Sequence, residues 1–293
     1  YVEDDLRVIG EFRPDVIVFD NSGRTSQLRA ARGAGARLVF SSRAPKLRWK
    51  AFRIKWMRLL DEHWIVFPSF VTGGLSRVER LKLRLFPRYG VRRFDTLFTP
   101  SNPADRNAWL AAHGLEAEAF VVFVPGGRGE ATRVAEPAEL FIAAAREFSA
   151  ATGQRTVVLT GRTSVTPSDH PDLILLSRIE PDQVQYLLAA ALLVVSNGGS
   201  TMIHVLAHGR PLVAIPLAGD QDRRIRRAVK LQIADTAERT PHAIAAAAAR
   251  LLREPERRAA MCRHTAELGI ANGVSEAVAA LLALARQRQL RVP

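Results

Sequence analysis

The sequence predicts an α/β protein built on two parallel sheets. Short apolar runs, such as residues 16–19 and 120–124, are bounded by turn residues and are too short for the core of a helix, which is typical of buried strands. Helical segments alternate with these runs, and this alternation favours parallel sheets. The chain has 293 residues, 47% of them hydrophobic, which is enough for two domains of ordinary size.

Composition excludes several classes of protein. The single cysteine, Cys262, rules out an internal disulfide and a cysteine-rich metal site, in agreement with a reducing cytoplasm. No apolar run approaches the roughly 18 residues that a membrane-spanning helix needs, and no signal peptide is visible. Because the first residue is Tyr1 rather than Met, we expect further residues to precede it in the reading frame.

Positive charge is concentrated in residues 43–93. This segment has fourteen Lys or Arg residues and three acidic residues, hence a charge of +11 within the chain total of +13. Such clustering indicates a polyanionic partner: acidic lipid headgroups, nucleic acid or a phosphate-bearing substrate. Nucleic acid is the least favoured, because the segment shows no module with aromatic residues at fixed spacing.

Within this segment, residues 46–60 have the spacing of an amphipathic helix. Trp49, Phe52 and Trp56 recur every three or four residues, and Lys or Arg occupies much of the remainder. A basic helix with an aromatic apolar face suits an anionic membrane surface. The alternative is an ordinary surface helix whose aromatic stripe packs into the core.

The most informative stretch, residues 192–227, predicts an anion site. An apolar run that reads as a strand is followed by a turn of small residues and then by the start of a helix. The turn consists of Asn197, Gly198 and Gly199, and the helix begins with Ser200 and Thr201. Glycine lets the backbone approach a ligand closely, and the N–H groups and dipole of a helix start favour an anion. A second strand and a loop then lead to Asp220, Gln221 and Asp222.

This order of elements resembles the donor-binding half of GT-B glycosyltransferases. The likeness is strongest to the MurG-like and plant UDP-glycosyltransferase branches, and to the related UDP-sugar hydrolase of pseudaminic acid synthesis. It rests on the strand, the Gly-Gly-Ser-Thr turn, the helix, the Gly-x-Pro step from Gly209 to Pro211, the second strand and Asp-Gln. It implies two Rossmann-like domains whose parallel sheets face each other across a cleft, with the N-terminal domain incomplete in this sequence.

The resemblance also implies which residues bind the donor. The glycine turn and helix start hold the nucleotide diphosphate in those families, and the Asp-Gln pair, here Asp220 and Gln221, contacts the donor sugar. Backbone groups near Arg178 and Ile179 would hold the base. The acid that binds the ribose in the family is replaced by His204, to which we assign a neutral donor role toward ribose or phosphate.

A second glycine-rich turn, with Gly127 and Arg128, follows the strand at 120–124. Such turns seat phosphate in α/β domains, and an arginine adds a charged bidentate contact. The alternative is a tight turn with a solvent-facing arginine.

Transfer of a sugar to a hydroxyl needs a base from the other domain, and two residues are candidates. Asp20 follows the predicted strand 16–19, at the edge where open α/β sheets bind ligands. His63 is the second candidate, because histidine as a residue type ordinarily titrates near neutral pH, although a lone histidine is more often structural. The true base could also belong to the N-terminal strands that the resemblance places outside this sequence.

No metal or other cofactor is expected. His204 and His208 have a zinc-compatible spacing on one helix face, but no third ligand accompanies them. GT-B transferases need no metal, because a helix dipole and arginines neutralise the departing diphosphate. Retaining members usually carry a Glu-x7-Glu pattern that this chain lacks, which favours inversion.

The sequence thus predicts an acceptor-side domain at 1–103 with a basic insertion at 43–93, a donor domain at 104–274, and a C-terminal helix at 275–293 that packs back toward the first domain. The expected activity is sugar transfer from a nucleotide diphosphate, UDP favoured, to a lipid-linked or cell-envelope acceptor in a bacterial cytoplasm, with peripheral attachment to the inner membrane. The alternatives are a nucleotide-sugar hydrolase and a catalytically degenerate GT-B scaffold.

Overall fold

The computed structural model describes residues 2–43, 45–126, 137–161, 170–177 and 179–289. The chain forms two compact units: unit 1 comprises Tyr1–Leu97 and Asn272–Pro293, and unit 2 comprises Phe98–Ala271. The boundaries drawn from the sequence, at 103 and 274, lie slightly beyond these. Over the described ranges, no helix combines the length and apolar character needed to cross a membrane.

Unit 1 is built on a four-stranded parallel sheet in the order β1-β2-β3-β4. The strands are β1 (Val16–Asp20), β2 (Arg37–Ser42), β3 (Glu62–Val66) and β4 (Gly90–Phe94). The helices are α1 (Val2–Phe12), α2 (Thr25–Gly33), α3 (Pro45–Ala51), α4 (Ile54–Met57), α5 (Ser69–Thr72) and α6 (Arg77–Leu85), and helix α14 (Val274–Gln289) joins them from the end of the chain.

Both faces of the unit 1 sheet are covered. Successive strand residues point to opposite faces, so Phe40 of β2 packs with Leu28 and Trp56, whereas its neighbour Val39 packs in the cluster that contains Leu284 of α14. Helices on both faces are typical of parallel sheets, whose strands are then apolar almost throughout.

The basic segment 43–93 is part of this sheet rather than an insertion, because it contributes β3 and β4. The helix predicted over 46–60 is in fact two short helices, α3 and α4, interrupted after Ala51. Phe52 and Trp56 are buried, at 2% and 1% exposure, while Trp49 is 62% exposed. Of the two alternatives for this stripe, packing into the core is the one that the structure shows for Phe52 and Trp56.

Unit 2 is built on a six-stranded parallel sheet in the order β10-β9-β8-β5-β6-β7. The strands are β5 (Val121–Val124), β6 (Thr156–Gly161), β7 (Leu173–Ser177), β8 (Leu193–Asn197), β9 (Leu212–Ile215) and β10 (Asp235–Thr236). The helices are α7 (Pro103–Ala112), α8 (Pro137–Thr152), α9 (Pro181–Ala190), α10 (Ser200–Ala207), α11 (Gln221–Lys230), α12 (Pro241–Arg253) and α13 (Pro255–Glu267).

The strand order of unit 2 reverses between β5 and β8. From β5 the chain adds β6 and β7 on one side, then returns to pair β8 with the other side of β5, with Val124 opposite Ser196. In an open parallel sheet, the crevice beyond the carboxyl ends of the strands at such a switch point is where ligands bind. The turns after β5 and β8 therefore form the candidate ligand-binding region of unit 2.

Candidate functional site

The two turns at the switch point approach each other closely. Gly126, after β5, has a φ of +82°, in the left-handed region that favours glycine. A Cβ on this residue would overlap the side-chain amide of Asn197, the last residue of β8. Both the backbone φ and the lack of space for a side chain therefore require glycine at this position.

The glycine turn after β8 is held in place by contacts from helix α11. The side-chain oxygen of Gln221 accepts from the N–H of Gly198 at 3.2 Å and from the N–H of Leu217 at 2.9 Å. Arg224 donates to the carbonyl oxygen of Gly198. A Cβ on Gly198 would lie 2.6 Å from Ile225, so α11 packs directly against the turn. The conformation of the turn is thus set without a ligand.

Helix α10 begins immediately after this turn with no side-chain cap. Gly199 occupies the cap position, and its own N–H donates to the side-chain oxygen of Asn197 at 3.1 Å. Ser200 is exposed and Thr201 half-buried. The first N–H groups of a helix have no partner within the helix, so an uncapped start at a ligand-binding edge suits an anion.

His204 and His208 bind the same buried residue of α9. The Gln185 amide nitrogen donates to Nδ1 of His204 at 3.1 Å, and its oxygen accepts from Nε2 of His208 at 3.0 Å. The ring of Phe98 lies 5.0 Å from one histidine and 4.9 Å from the other. Burial, and then the neighbouring charges of His204 and Arg210, lower the pKa of His208 to about 4, so it is neutral.

This network bears on two predictions. The Nδ1 of His204 is committed to Gln185, so a contact with ribose or phosphate would have to come from Nε2. In the described chain, no group of three or more His, Cys, Asp or Glu side chains could hold a metal ion. The His204–His208 pair serves to attach α10 to α9.

The two residues expected to contact the donor sugar differ in accessibility. The Asp220 carboxylate is 72% exposed and pairs with Arg224 at 3.0 Å. Gln221 is 8% exposed, and its oxygen is occupied by the two backbone donors described above. Only Asp220 presents its side chain to solvent. Gly127, Arg128 and Arg178 lie outside the described residues, and Ile179 follows β7 in a half-buried position.

In unit 1, Asp20 lies at the carboxyl end of β1, as predicted, with its carboxylate 58% exposed. Arg43 donates to this carboxylate at 2.8 Å, and the backbone N–H of Arg43 donates to the side-chain oxygen of Asn21 at 2.9 Å. Asp20 is thus accessible to an acceptor molecule and already has a guanidinium beside it.

His63 does not suit the role of catalytic base. It lies near the amino end of β3, is fully buried, and shares a hydrogen bond of 2.8 Å with the hydroxyl of Ser42. Burial, reinforced by the positive charge of Arg48 and opposed by Glu79, lowers the pKa of His63 to about 3. A group so weakly basic and enclosed cannot take a proton from a substrate near neutral pH, which corrects that candidate assignment.

The structure also identifies residues that the sequence did not suggest. Arg224 and Gln185 hold the turn and α10, but their partners lie 26 and 19 residues away along the chain. Arg224 stands four residues after Asp220, a helical pair that could have been recognised. Nothing in the sequence around Gln185 signals its role.

No family model matches the sequence, and no curated protein matches it significantly. Among experimental structures, the spinosyn forosaminyltransferase SpnP superposes with a TM-score of 0.65 at 17% identity, over 97% of this chain and 80% of that one. MurG from Acinetobacter baumannii gives 0.54 at 15%, over 96% and 76%.

The chain has the GT-B fold. A putative UDP-N-acetylglucosamine 2-epimerase from Listeria monocytogenes is also similar, with a TM-score of 0.57 at 13% identity over 96% of this chain and 76% of that one. Different reactions therefore occur on similar structures, and identities this low establish the fold alone. The predicted α/β fold with two parallel sheets is confirmed, whereas the assigned roles of site residues stay predictions.

Proposed function

We propose that this protein is a GT-B glycosyltransferase that moves a sugar from a nucleoside diphosphate to an acceptor hydroxyl. The observation that carries the proposal is the braced glycine turn at the switch point of unit 2, leading into the uncapped start of α10. The N–H groups of Gly198 and Gly199 are engaged by Gln221 and Asn197, so the turn fixes the position of the helix start, and the first N–H groups of α10 are the donors held in place for a diphosphate before the ligand arrives. Preorganised donors also stabilise the diphosphate as it leaves, so the reaction needs no metal ion.

In this proposal, Asp220 binds the donor sugar and Asp20 is the base that takes the proton of the acceptor hydroxyl, with inversion at the anomeric carbon. Support for these roles is exposure: both carboxylates are more than half exposed, each at the edge that binds ligands in its own sheet. UDP is the favoured nucleotide by resemblance to MurG-like and plant UDP-glycosyltransferases.

An acceptor with a lipid part is the finer proposal, and α6 supports it. Val78, Leu81 and Leu85 recur at helical spacing on α6 and are 62%, 56% and 67% exposed. Exposed Arg77 and Arg84 flank this apolar stripe. An outward apolar face bordered by arginines suits an anionic membrane surface, and cell-envelope acceptors are made at such surfaces in bacteria.

The test is calorimetric titration with UDP, dTDP, GDP and CMP. We expect micromolar binding of one diphosphate, abolished by Gly199→Trp, which fills the turn, and retained by Gly33→Trp, at the exposed end of α2 where nothing lies within 4 Å of an added Cβ. A folded protein that binds none of the four would contradict the proposal and favour a degenerate scaffold.

A nucleotide-sugar hydrolase would pass that binding test, so a second measurement is needed. Incubation of the protein with the nucleotide sugar that binds, without an acceptor, separates the two reactions. A transferase releases little free sugar until a hydroxyl acceptor is added, whereas a hydrolase releases it at its full rate. Full-rate release of free sugar would replace the transferase assignment with the hydrolase.

A further inference from the structure

Unit 1 contains a second recess, at the edge of its sheet opposite to Asp20. A cavity of about 630 Å³ opens where β2, β3 and β4 begin, and Arg37, Glu62 and Gly90 at those strand starts line it. Because the strands are parallel, their carboxyl ends all lie at the other edge. The cavity is therefore separate from the edge of unit 1 to which the proposed function assigns the base.

The charges of the cavity are unequal. Its lining includes four arginines and two acidic residues, which are Arg32, Arg37, Arg58, Arg88, Asp61 and Glu62. Asp61 already pairs with two of the arginines, Arg32 and Arg37, each at 2.7 Å, and also accepts from the N–H of Leu38 at 2.8 Å. The oxygens of this carboxylate already accept hydrogen bonds from neighbouring groups, and the lining keeps an excess of positive charge.

Glu62 is occupied in the same way. It accepts from Arg92, outside the lining, at 2.8 Å and from the indole N–H of Trp64 at 2.7 Å. The remaining two arginines, Arg58 and Arg88, are exposed and make no ion pair with any residue that the structure describes. Their guanidinium groups are the ones available to an incoming anion.

Apart from Gln287 and Tyr89, the rest of the lining is apolar. Met57, Leu60 and Leu284 form buried wall, and Leu85, 67% exposed, lies at the outer rim. Leu85 also belongs to the exposed apolar stripe of α6. A small inorganic ion would leave this wall uncovered, so the lining matches an anion that carries an uncharged, partly apolar portion.

We propose that this cavity is a binding site for phosphate monoesters, in which Arg58 and Arg88 hold the phosphate and the apolar wall covers the esterified group. Arginine forms paired hydrogen bonds with phosphate oxygens. A carboxylate ligand has fewer oxygens and less charge than a phosphate, so it would leave more of the donors of the two arginines unused. The phosphate can come from a soluble ester or from a lipid headgroup, and the two sources share this chemistry. The inference does not depend on the proposed glycosyl transfer.

The test measures binding of two probes to the full chain: glycerol 3-phosphate by calorimetry, and phosphatidylcholine vesicles with or without phosphatidic acid by sedimentation. The variant is Arg58→Gln with Arg88→Gln. The control is Arg239→Gln with Arg253→Gln, two exposed arginines of unit 2 whose replacement changes the net charge equally. We expect the cavity variant to lose at least about tenfold in affinity and the control less than about twofold.

The pattern of loss identifies the source. Loss for glycerol 3-phosphate indicates a soluble ester, and loss confined to phosphatidic acid vesicles indicates a headgroup; either supports the site. Equal loss in both variants would mean that binding follows net charge alone, and absence of binding of either probe to the wild-type protein would mean that there is no such site; either overturns the inference. Unchanged thermal unfolding shows that the variant is folded.

Discussion

The carboxyl edges of the two sheets are built in different ways. In unit 2, the glycine turn is fixed by close backbone packing and by hydrogen bonds from the buried amide of Gln221 and from Arg224. In unit 1, the side chain of the functional candidate Asp20 is exposed, and its only described ion pair is with Arg43, which is itself 45% exposed. An exposed ion pair contributes roughly 0–1 kcal/mol, so a bound molecule can rearrange it. The first edge is preorganised, and the second is adaptable.

The largest expected effect is that of breaking the preorganised edge at Gly126. We expect Gly126→Ala to lower the free energy of unfolding by about 4 kcal/mol, because the left-handed φ and the overlap with the Asn197 amide each cost roughly 1–3 kcal/mol. Urea unfolding measures this loss.

A matched glycine separates the two causes. Gly153 has a similar φ of +65° but nothing within 4 Å of an added Cβ, so Gly153→Ala should cost only about 1 kcal/mol. If the two variants lose the same stability, the close approach of the two turns contributes nothing and the contrast between the edges weakens.

The next largest expected effect is a pH dependence of the free energy of unfolding, and it comes from a buried histidine of unit 1. The pKa of His63 is about 3 when folded, below its ordinary value of 6.5, so the unfolded chain binds the proton first as the pH falls. Its contribution is fully present above pH 6.5 and is lost as the pH falls from there toward 3. Between pH 8 and pH 4.5 this amounts to about 3 kcal/mol.

The same pH series on two variants isolates the contribution of His63. His63→Gln keeps a polar group beside Ser42 but does not titrate, so its stability should fall less steeply with acid, while His242→Gln, at a side chain 90% exposed, should behave as wild type. Identical slopes for all three proteins would show that the core of unit 1 already tolerates a charged histidine.

The contrast between the edges also explains what could be predicted from the sequence. The strands, the glycine turn and the start of α10 are encoded locally, by runs of apolar residues and by small residues next to them, and those predictions of the fold are confirmed. The bracing of the turn by Gln221 joins residues 23 positions apart, and no local pattern encodes it.

The sequence was a poor guide where a polar or titratable residue is buried, as at His63, the candidate base that the structure rejects. The strand Glu62–Val66 begins with a glutamate and a histidine, yet all five residues are buried, because Arg92 and Trp64 satisfy the glutamate and Ser42 binds the histidine. Two of these partners, Arg92 of β4 and Ser42 of β2, come from neighbouring strands, and such contacts become visible only in the fold.

The smallest expected effect on stability comes from the adaptable edge. Asp20→Asn removes an exposed ion pair and should change the free energy of unfolding by less than about 0.5 kcal/mol, as measured by urea unfolding. If Asp20 is the base, kcat should nevertheless fall about 10²–10⁴-fold.

The opposite end of the same strand provides the control for Asp20. Asp15 pairs with Arg288 at 2.8 Å and is 44% exposed, so Asp15→Asn removes a comparable ion pair without touching the carboxyl edge. Equal activity of both variants would show that another residue is the base and that Asp20 contributes only its ion pair with Arg43. A loss confined to Asp20→Asn would show that an edge with little structural stabilisation can carry the chemistry, because the group that reacts must stay accessible.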